Sequence, residues 1–241
     1  MTPTLPNHVL DAMAPADLEA LAPHLQELSL SAGAVLYEPG YEVEWVYFPT
    51  TAVVSVVTTM ADGRSVESDT VGHESAVGIL AALAAAESVS RTFVQIAGGA
   101  SRLSSARLRG QAERSSSLRR LLVRHALANL AQAHQSVACN ALHGIEQRLC
   151  RWLLMSHDRT GGDDVRLTHQ FLATMLGVQR TTVTEALRVF TEAGLVQQGR
   201  GAIRILDRQR LEALSCECYG AVRANARMLT SGPLAQRAAR R

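Results

Sequence analysis

The sequence predicts an α+β protein: an N-terminal antiparallel β-roll or barrel, one long helix, and a C-terminal winged helix-turn-helix. Three observations predict it. Short runs of β-type residues broken by Gly and Pro turns recur at roughly eight- to twelve-residue spacing between Leu25 and about Leu103. Leu118 to about Asn140 contains no Gly or Pro and is rich in Leu and Ala. Thr168 to Leu206 places small, Gly and apolar residues where two short helices, a tight turn and a hairpin require them.

Residues 1–14 carry two Pro and little periodicity, and read as a loose lead-in. Pro15 to Leu21 reads as a short helix, with Pro at its first turn where no amide partner is lost. Strands are expected at Leu28–Leu30, Val35–Tyr37, Val43–Phe48, Val53–Thr58, Ser65–Val71, Arg91–Ile96 and Ser101–Leu103, with turns at Ala32-Gly33, Pro39-Gly40 and Ala61-Asp62-Gly63. His73 to Glu87 interrupts them with room for a short helix.

The texture changes at Ser115-Ser116-Ser117, a helix start. Two apolar stripes run along the helix that follows. Leu118, Leu121, His125, Ala128, Gln132, Cys139 and Leu142 form one; Leu122, Leu127, Leu130, Ala131, His134, Val137 and Ala138 form the other. A helix apolar on two sides must bury both, one against the barrel and one against a second copy of itself. The alternative is a central core helix of a monomer. We expect the dimer seam at Leu118, Leu121, His125, Ala128, Gln132 and Cys139. An amphipathic helix from Ile145 to Leu154 and a polar loop from Asp158 to Asp164 lead into the helix-turn-helix.

Within that unit Leu172, Leu176, Val178, Val183 and Leu187 are the apolar contacts between two helices, Ala173 allows close approach, and Gly177 takes the turn. Thr168 is the expected N-cap. Gln179, Arg180, Thr181, Thr184, Glu185 and Arg188 are left facing outward, short and able to hydrogen-bond, as a helix in a major groove requires. Two strands around Gly199-Arg200-Gly201 form the wing. Arg180, Thr181, Thr184 and Glu185 are expected to face bases, and Gln179, Arg188, Arg200 and Arg204 to meet phosphates. Thr168, His169 and Thr182 complete the DNA-facing set. Beyond it, Arg208 to Tyr219 reads as one helix, and residues 220–241 as a frayed basic tail with five Arg and no acid.

Charge distribution supports a polyanionic partner for the C-terminal part. Leu142 to Arg241 holds 15 Arg against 9 acidic residues, whereas residues 1–141 hold 9 Arg against 13. The N-terminus lacks the basic and then apolar pattern of a signal peptide, and the small-apolar run Ala76–Ala86 is too short to span a bilayer, so a cytoplasmic location without membrane contact is expected. Cys139, Cys150, Cys216 and Cys218 show no paired C-x-x-C spacing, and the Cys216-Glu217-Cys218 triplet is too close for an ordinary zinc pair; no metal and no catalytic residue are expected. His73, His125, His134 and His143 read as single polar residues at turns or helix faces. A cupin-like enzyme would need His, Glu and Gln clustered on adjacent strands, which offer almost none.

From about Leu18 to Tyr219 the chain resembles the Crp/Fnr family of bacterial transcription regulators. The resemblance is carried by Cys139-Asn140 with His143, by Arg148 to Leu154, by Leu172 to Val178, by Arg180 to Val183 and by Cys216 to Tyr219. It implies a cyclic-nucleotide-binding-like sensor roll over residues 1–114, a dimerisation helix over 115–142 and a winged helix-turn-helix over 143–219. It further implies a homodimer on a palindromic double-stranded DNA site beside a promoter, with RNA polymerase as partner. Thr181 and Glu185 depart from the recognition helix of well-known members, which implies a different half-site. In the family's nucleotide binders, Gly-Glu and a later Arg-Ser/Thr-Ala hold the ligand. Gly72 and Glu74 are here split by His73, and Arg91-Thr92 comes late and is followed by Phe93. Those four are the residues the resemblance implies for an effector, with Arg91 readable equally as a surface charge. These departures point to an effector other than a cyclic nucleotide, or to none with the roll only scaffolding the dimer; the alternative is a cyclic-nucleotide-responsive regulator.

Overall fold

A computed structural model of the chain describes residues 7–230. Two antiparallel sheets form the N-terminal roll. Strands β1 (Gln26–Leu30), β7 (Gly98–Ser104) and β3 (Trp45–Pro49) make one, in the order β1-β7-β3. Strands β2 (Val35–Tyr37), β6 (Arg91–Ile96), β4 (Val53–Thr59) and β5 (Ser65–Val71) make the other, in the order β2-β6-β4-β5. Inward residues alternate along these strands, and Leu30, Tyr37, Tyr47, Val54, Val71, Val94 and Ala100 close over one another between the sheets.

Helices cap the roll. The expected loose lead-in is instead ordered from its seventh residue: Asn7 caps α1 (His8–Asp11), accepting from the amides of Val9 at 3.0 Å and Leu10 at 3.4 Å. Its side-chain amide donates to the carbonyls of Pro49 and Ser75, so the cap is also a bolt across the roll. Residues 1–6 lie outside the described residues. Next come α2 (Pro15–Leu21), a turn of tighter helix at Ala22–His24, α3 (Ile79–Ala84) and α4 (Ser105–Arg114). The sequence reading missed α4, whose N-cap is Ser104 and whose buried side is only Ser105, Leu108 and Ala112.

The long helix α5 (Ser116–Leu142) starts at an N-cap hydroxyl, with Ser115 accepting from the Leu118 amide at 3.1 Å. Leu118, Leu121, Leu122, His125 and Ala128 are buried against the roll and its capping helices. This corrects the expected seam. The stripe assigned to a second copy is used inside the chain, because the roll's open side offers Phe48, Ile79, Leu103 and Leu108 as matching apolar surface. Gln132 donates to Asp69 on β5, and Cys139 is fully buried. The stripe left exposed is Val123, Leu127, Leu130 and Val137, with Leu142 at the helix end.

The C-terminal unit comprises α6 (Ile145–Thr160), β8 (Asp164–Val165), α7 (His169–Leu176), α8 (Arg180–Glu192), β9 (Val196–Gly199), β10 (Ala202–Ile205), α9 (Arg208–Leu214) and α10 (Cys218–Thr230). Its core joins Leu149, Leu153 and Leu154 of α6 to Leu172, Val183, Leu187, Phe190 and Ile203, and reaches Val53, Val57 and Ile96 on the roll. The helix expected from Arg208 to Tyr219 breaks at Ser215-Cys216-Glu217. The expected frayed tail is helical through Thr230 and packs on α5; the remainder, with Gly232-Pro233, lies outside the described residues. No helix among the described residues is long and apolar enough to cross a membrane.

Candidate nucleic-acid interface

Two helices and a turn build the outward surface. Thr168 caps α7, its hydroxyl accepting from the Phe171 amide at 3.1 Å. Gly177 ends the helix at φ 66°, a left-handed conformation in which an L side chain is strained, and the Val178 amide reaches back to the Ala173 carbonyl at 3.0 Å. The Arg148 guanidinium reinforces that end by donating to the Leu176 carbonyl. Helix α8 then buries Val183, Ala186, Leu187 and Phe190. One face being taken, Gln179, Arg180, Thr181, Thr184, Glu185 and Arg188 are exposed, and Thr182 is half-buried.

Charge on that face is uneven. Arg188 pairs with Glu185 and Glu192, which holds Arg188 above the usual guanidinium range and Glu185 below the usual carboxylate range. Arg204 forms a bidentate pair with Asp164, both contacts at 2.7 Å. Arg180 and Arg200 have no ion pair among the described residues. Of the four expected phosphate contacts, therefore, two arginines already spend their donors inside the chain. Thr184 donates back to the Arg180 carbonyl and meets the His169 ring at 3.0 Å, which ties the first turns of α7 and α8 together. A cleft of about 240 Å³ runs between those turns and the wing, lined by Thr168, His169, Arg180, Gly199 and Gly201 among others.

The roll holds a cavity of about 460 Å³ between α3, β5 and α5. Its walls are mainly apolar, including Tyr37, Val56, Val71, Val77 and Ile79, with Asp69, Glu87, Ser88, Ser90, Thr92, His125 and Asn129 as polar points. Among the described residues, no arginine lines it. Burial pushes the Asp69 carboxyl up to about 7 and the His125 imidazole down to about 4. His125 Nε2 accepts from the Ala76 amide and meets Ser75 Oγ at 2.9 Å.

Of the four effector residues implied by resemblance, only Thr92 lines this cavity. Arg91 is half-exposed and pairs with Glu38 at 3.4 Å. Glu74 faces the other way: its Oε1 accepts from Arg159 Nε at 2.8 Å and from the second guanidinium nitrogen at 2.7 Å, across to α6. Gly72 belongs to the same turn, with room for Arg159 because it has no Cβ. These two residues are thus part of a tether between roll and C-terminal unit, as is Trp152, whose indole donates to Glu67 on β5 at 2.7 Å. Sequence reading named neither Arg159 nor Glu67, since only the fold brings them to their partners.

Comparison with known proteins follows this division. Residues 147–214 match the family described as the Crp-like helix-turn-helix domain. Over 100 residues the chain is 28% identical to the transcriptional regulator SdrP of Thermus thermophilus, a match covering 39% of this chain and half the length of that protein. A crystal structure of a putative Crp/Fnr-family transcriptional regulator from Eubacterium rectale superposes with a TM-score of 0.68 at 16% identity, covering 86% of this chain and 96% of that one. FixK2 from Bradyrhizobium japonicum superposes with a TM-score of 0.65 at 19% identity, covering 80% and 98%. These two likenesses are of fold.

Proposed function

From a chain that carries a Crp-like helix-turn-helix domain on the Crp/Fnr fold, we propose a transcription regulator that binds double-stranded DNA in a sequence-specific way and is not an enzyme. The observation that carries this reading is the outward face of α8: a row of exposed, hydrogen-bonding side chains led by Arg180, flanked by the wing with Arg200. Arg180 reads a base edge, and Arg200 meets a phosphate and positions without specifying.

The DNA is met by a homodimer whose seam is the exposed stripe Val123, Leu127, Leu130 and Val137 on α5. Its spacing of four, three and seven residues keeps one face, as a two-stranded coiled coil requires. Two such units call for a palindromic site with half-sites about one helical turn apart, beside a promoter where RNA polymerase is the further partner. The effector, if one is used, is a small, largely apolar molecule with a hydrogen-bonding or cationic end for Asp69. The cavity wall offers no guanidinium among the described residues, and Glu74 is committed to Arg159, so a cyclic phosphate lacks a bidentate cationic partner there.

Selection from a random duplex library, followed by anisotropy titrations, tests the reading. Wild type should prefer a palindrome over bulk DNA, with affinity falling steeply as salt rises. Arg180→Ala should cost about 1–3 kcal/mol and relax preference at one base pair of each half-site. Arg200→Ala should weaken all sequences alike. Uniformly weak binding by the wild type would overturn the proposal; an unchanged motif in Arg180→Ala would overturn the division of roles.

A further inference from the structure

Three thiols and one imidazole converge where α5 ends. Cys139 lies on the last turns of α5, His143 is its C-cap, Cys216 sits in the break between α9 and α10, and Cys218 opens α10. Cys139 Sγ and Cys216 Sγ are 3.6 Å apart, and Cys218 Sγ is 3.6 Å from His143 Nδ1. All four ligand atoms lie within 4.8 Å of one another, and the three cysteines are buried. The expectation from spacing weighed Cys216-Glu217-Cys218 alone; the fold brings Cys139, 77 residues from Cys216, and His143 to that pair.

We propose that Cys139, His143, Cys216 and Cys218 form a mononuclear, tetrahedral, structural site for a thiolate-seeking divalent cation, zinc foremost. Zn–S bonds of about 2.3 Å and Zn–N bonds of about 2.0–2.1 Å set ligand atoms roughly 3.5–3.8 Å apart around a tetrahedral ion. The Cys139–Cys216 and Cys218–His143 pairs, both at 3.6 Å, meet that spacing, and the remaining ligand atoms lie within 4.8 Å of one another. Sulfur atoms so close leave no room for an iron–sulfur cube at their centre.

The surroundings suit such an ion. His143 turns Nδ1 to the cluster and its Nε2 lies 3.3 Å from Glu217 Oε2, the carboxylate–histidine arrangement that fixes ring and tautomer at metal sites. Gln135 Nε2 donates to Cys218 Sγ at 2.9 Å. Arg151 is buried and has no carboxylate partner among the described residues. A buried cation without an anion is costly, and three thiolates around one dication leave one net negative charge to offset it. On binding, the three thiol protons pass to solvent, the imidazole binds neutral, and no electron is transferred. The ion would join the end of α5 to the start of α10, across the short connection at His143-Gly144 into α6.

The experiment uses the full chain, purified under reductant, stripped with chelator and titrated with zinc and then cobalt against a chromophoric chelator. One ion per chain is expected, and cobalt should give the intense visible ligand-field bands of a tetrahedral thiolate complex. Cys216→Ser with Cys218→Ser should weaken binding by well over the roughly 100-fold that losing an outer partner alone costs. Cys150→Ala, outside the cluster, should keep the ion. If the double variant fails to fold, the wild-type stoichiometry and cobalt spectrum decide. The site is refuted by no stoichiometric metal on the reduced wild type, by octahedral cobalt, by undiminished binding in a folded double variant, or by a Cys139–Cys216 disulfide that persists under reductant.

Discussion

Glu74→Gln is the most informative single change to the tether between roll and C-terminal unit. Arg159 is 4% exposed in its side chain and Glu74 14%. Two guanidinium nitrogens contact one carboxylate oxygen at 2.8 and 2.7 Å, and that oxygen also accepts from the Gly72 amide at 3.2 Å. This charge holds Arg159 above its usual range and, despite burial, keeps Glu74 below the usual carboxylate range. Gln preserves shape and one acceptor but leaves the guanidinium without its main counter-charge. Removing one member of a buried pair costs about 3–5 kcal/mol. Asp69 and Glu67 still act on Arg159 at longer range, so the lower end, about 3 kcal/mol, is expected. Urea unfolding at pH 7, followed by circular dichroism, should show it as a lower midpoint at unchanged slope. Glu74→Gln with Arg159→Met should recover most of the loss, because no lone charge then remains. A loss below about 1 kcal/mol for Glu74→Gln alone, the value of an exposed pair, would refute the reasoning.

Asp69 should make the chain less stable as pH rises. Its folded carboxyl titrates at about 7 against an unfolded value of 3.8, so the folded state holds the extra proton across that window and the stability present below it is lost as pH climbs. Asp69→Asn should flatten melting temperature between those pH values and gain about 2–4 kcal/mol at pH 8; an unchanged pH slope would count against it. Leu130→Glu should give a monomer by light scattering with the roll intact, whereas Leu121→Glu should destabilise the fold itself; a wild type that is monomeric at micromolar concentration would rule out the seam. Cyclic AMP and cyclic GMP should show no heat of binding at micromolar concentration, and tight binding abolished by Arg91→Ala would overturn that.

What the sequence revealed was what neighbouring residues decide. The helix-turn-helix was legible because Ala173, Gly177 and the apolar spacing act within one twenty-residue stretch, and Gly177 does adopt the left-handed turn. The strands were legible from period and punctuation. Misreadings arose where distant surface decides. Both stripes of α5 are apolar, and only the shape of the roll's open side selects Leu118 and Leu121 over Leu127 and Leu130. The last helix carries a Gly and no acid in its first turn, so propensity gave no sign that α5 would stabilise it. A cap was overlooked at Asn7, though Asn before His-Val-Leu was a local signal that could have found α1. Glu74 and Arg159 are 85 positions apart, and no spacing rule reaches that far.

Strand β5 accounts for why these pieces lie together. Asp69 and Val71 share one face with Val56 and Val54 of β4, whereas the irregularity at Ser68 turns Glu67 to the opposite face, beside Ser55. Glu67 receives the Trp152 indole from α6; Asp69 receives the Gln132 amide from α5 and borders the cavity; Val71 lines the cavity beside it. The bulge lies on β5 itself, where Glu67-Ser68-Asp69 span the adjacent Val57 and Val56 of β4, so β5 is not locked by a fully regular ladder on its one paired side. The wall of the cavity and the seat of the C-terminal unit are therefore opposite faces of one short stretch of β5. A molecule that pressed on Asp69 would act on α5 through the Gln132 hydrogen bond, and on α6 only through the strand backbone that links Asp69 to Glu67. On the proposed reading, that strand is the path by which a ligand in the cavity would reach the winged helix.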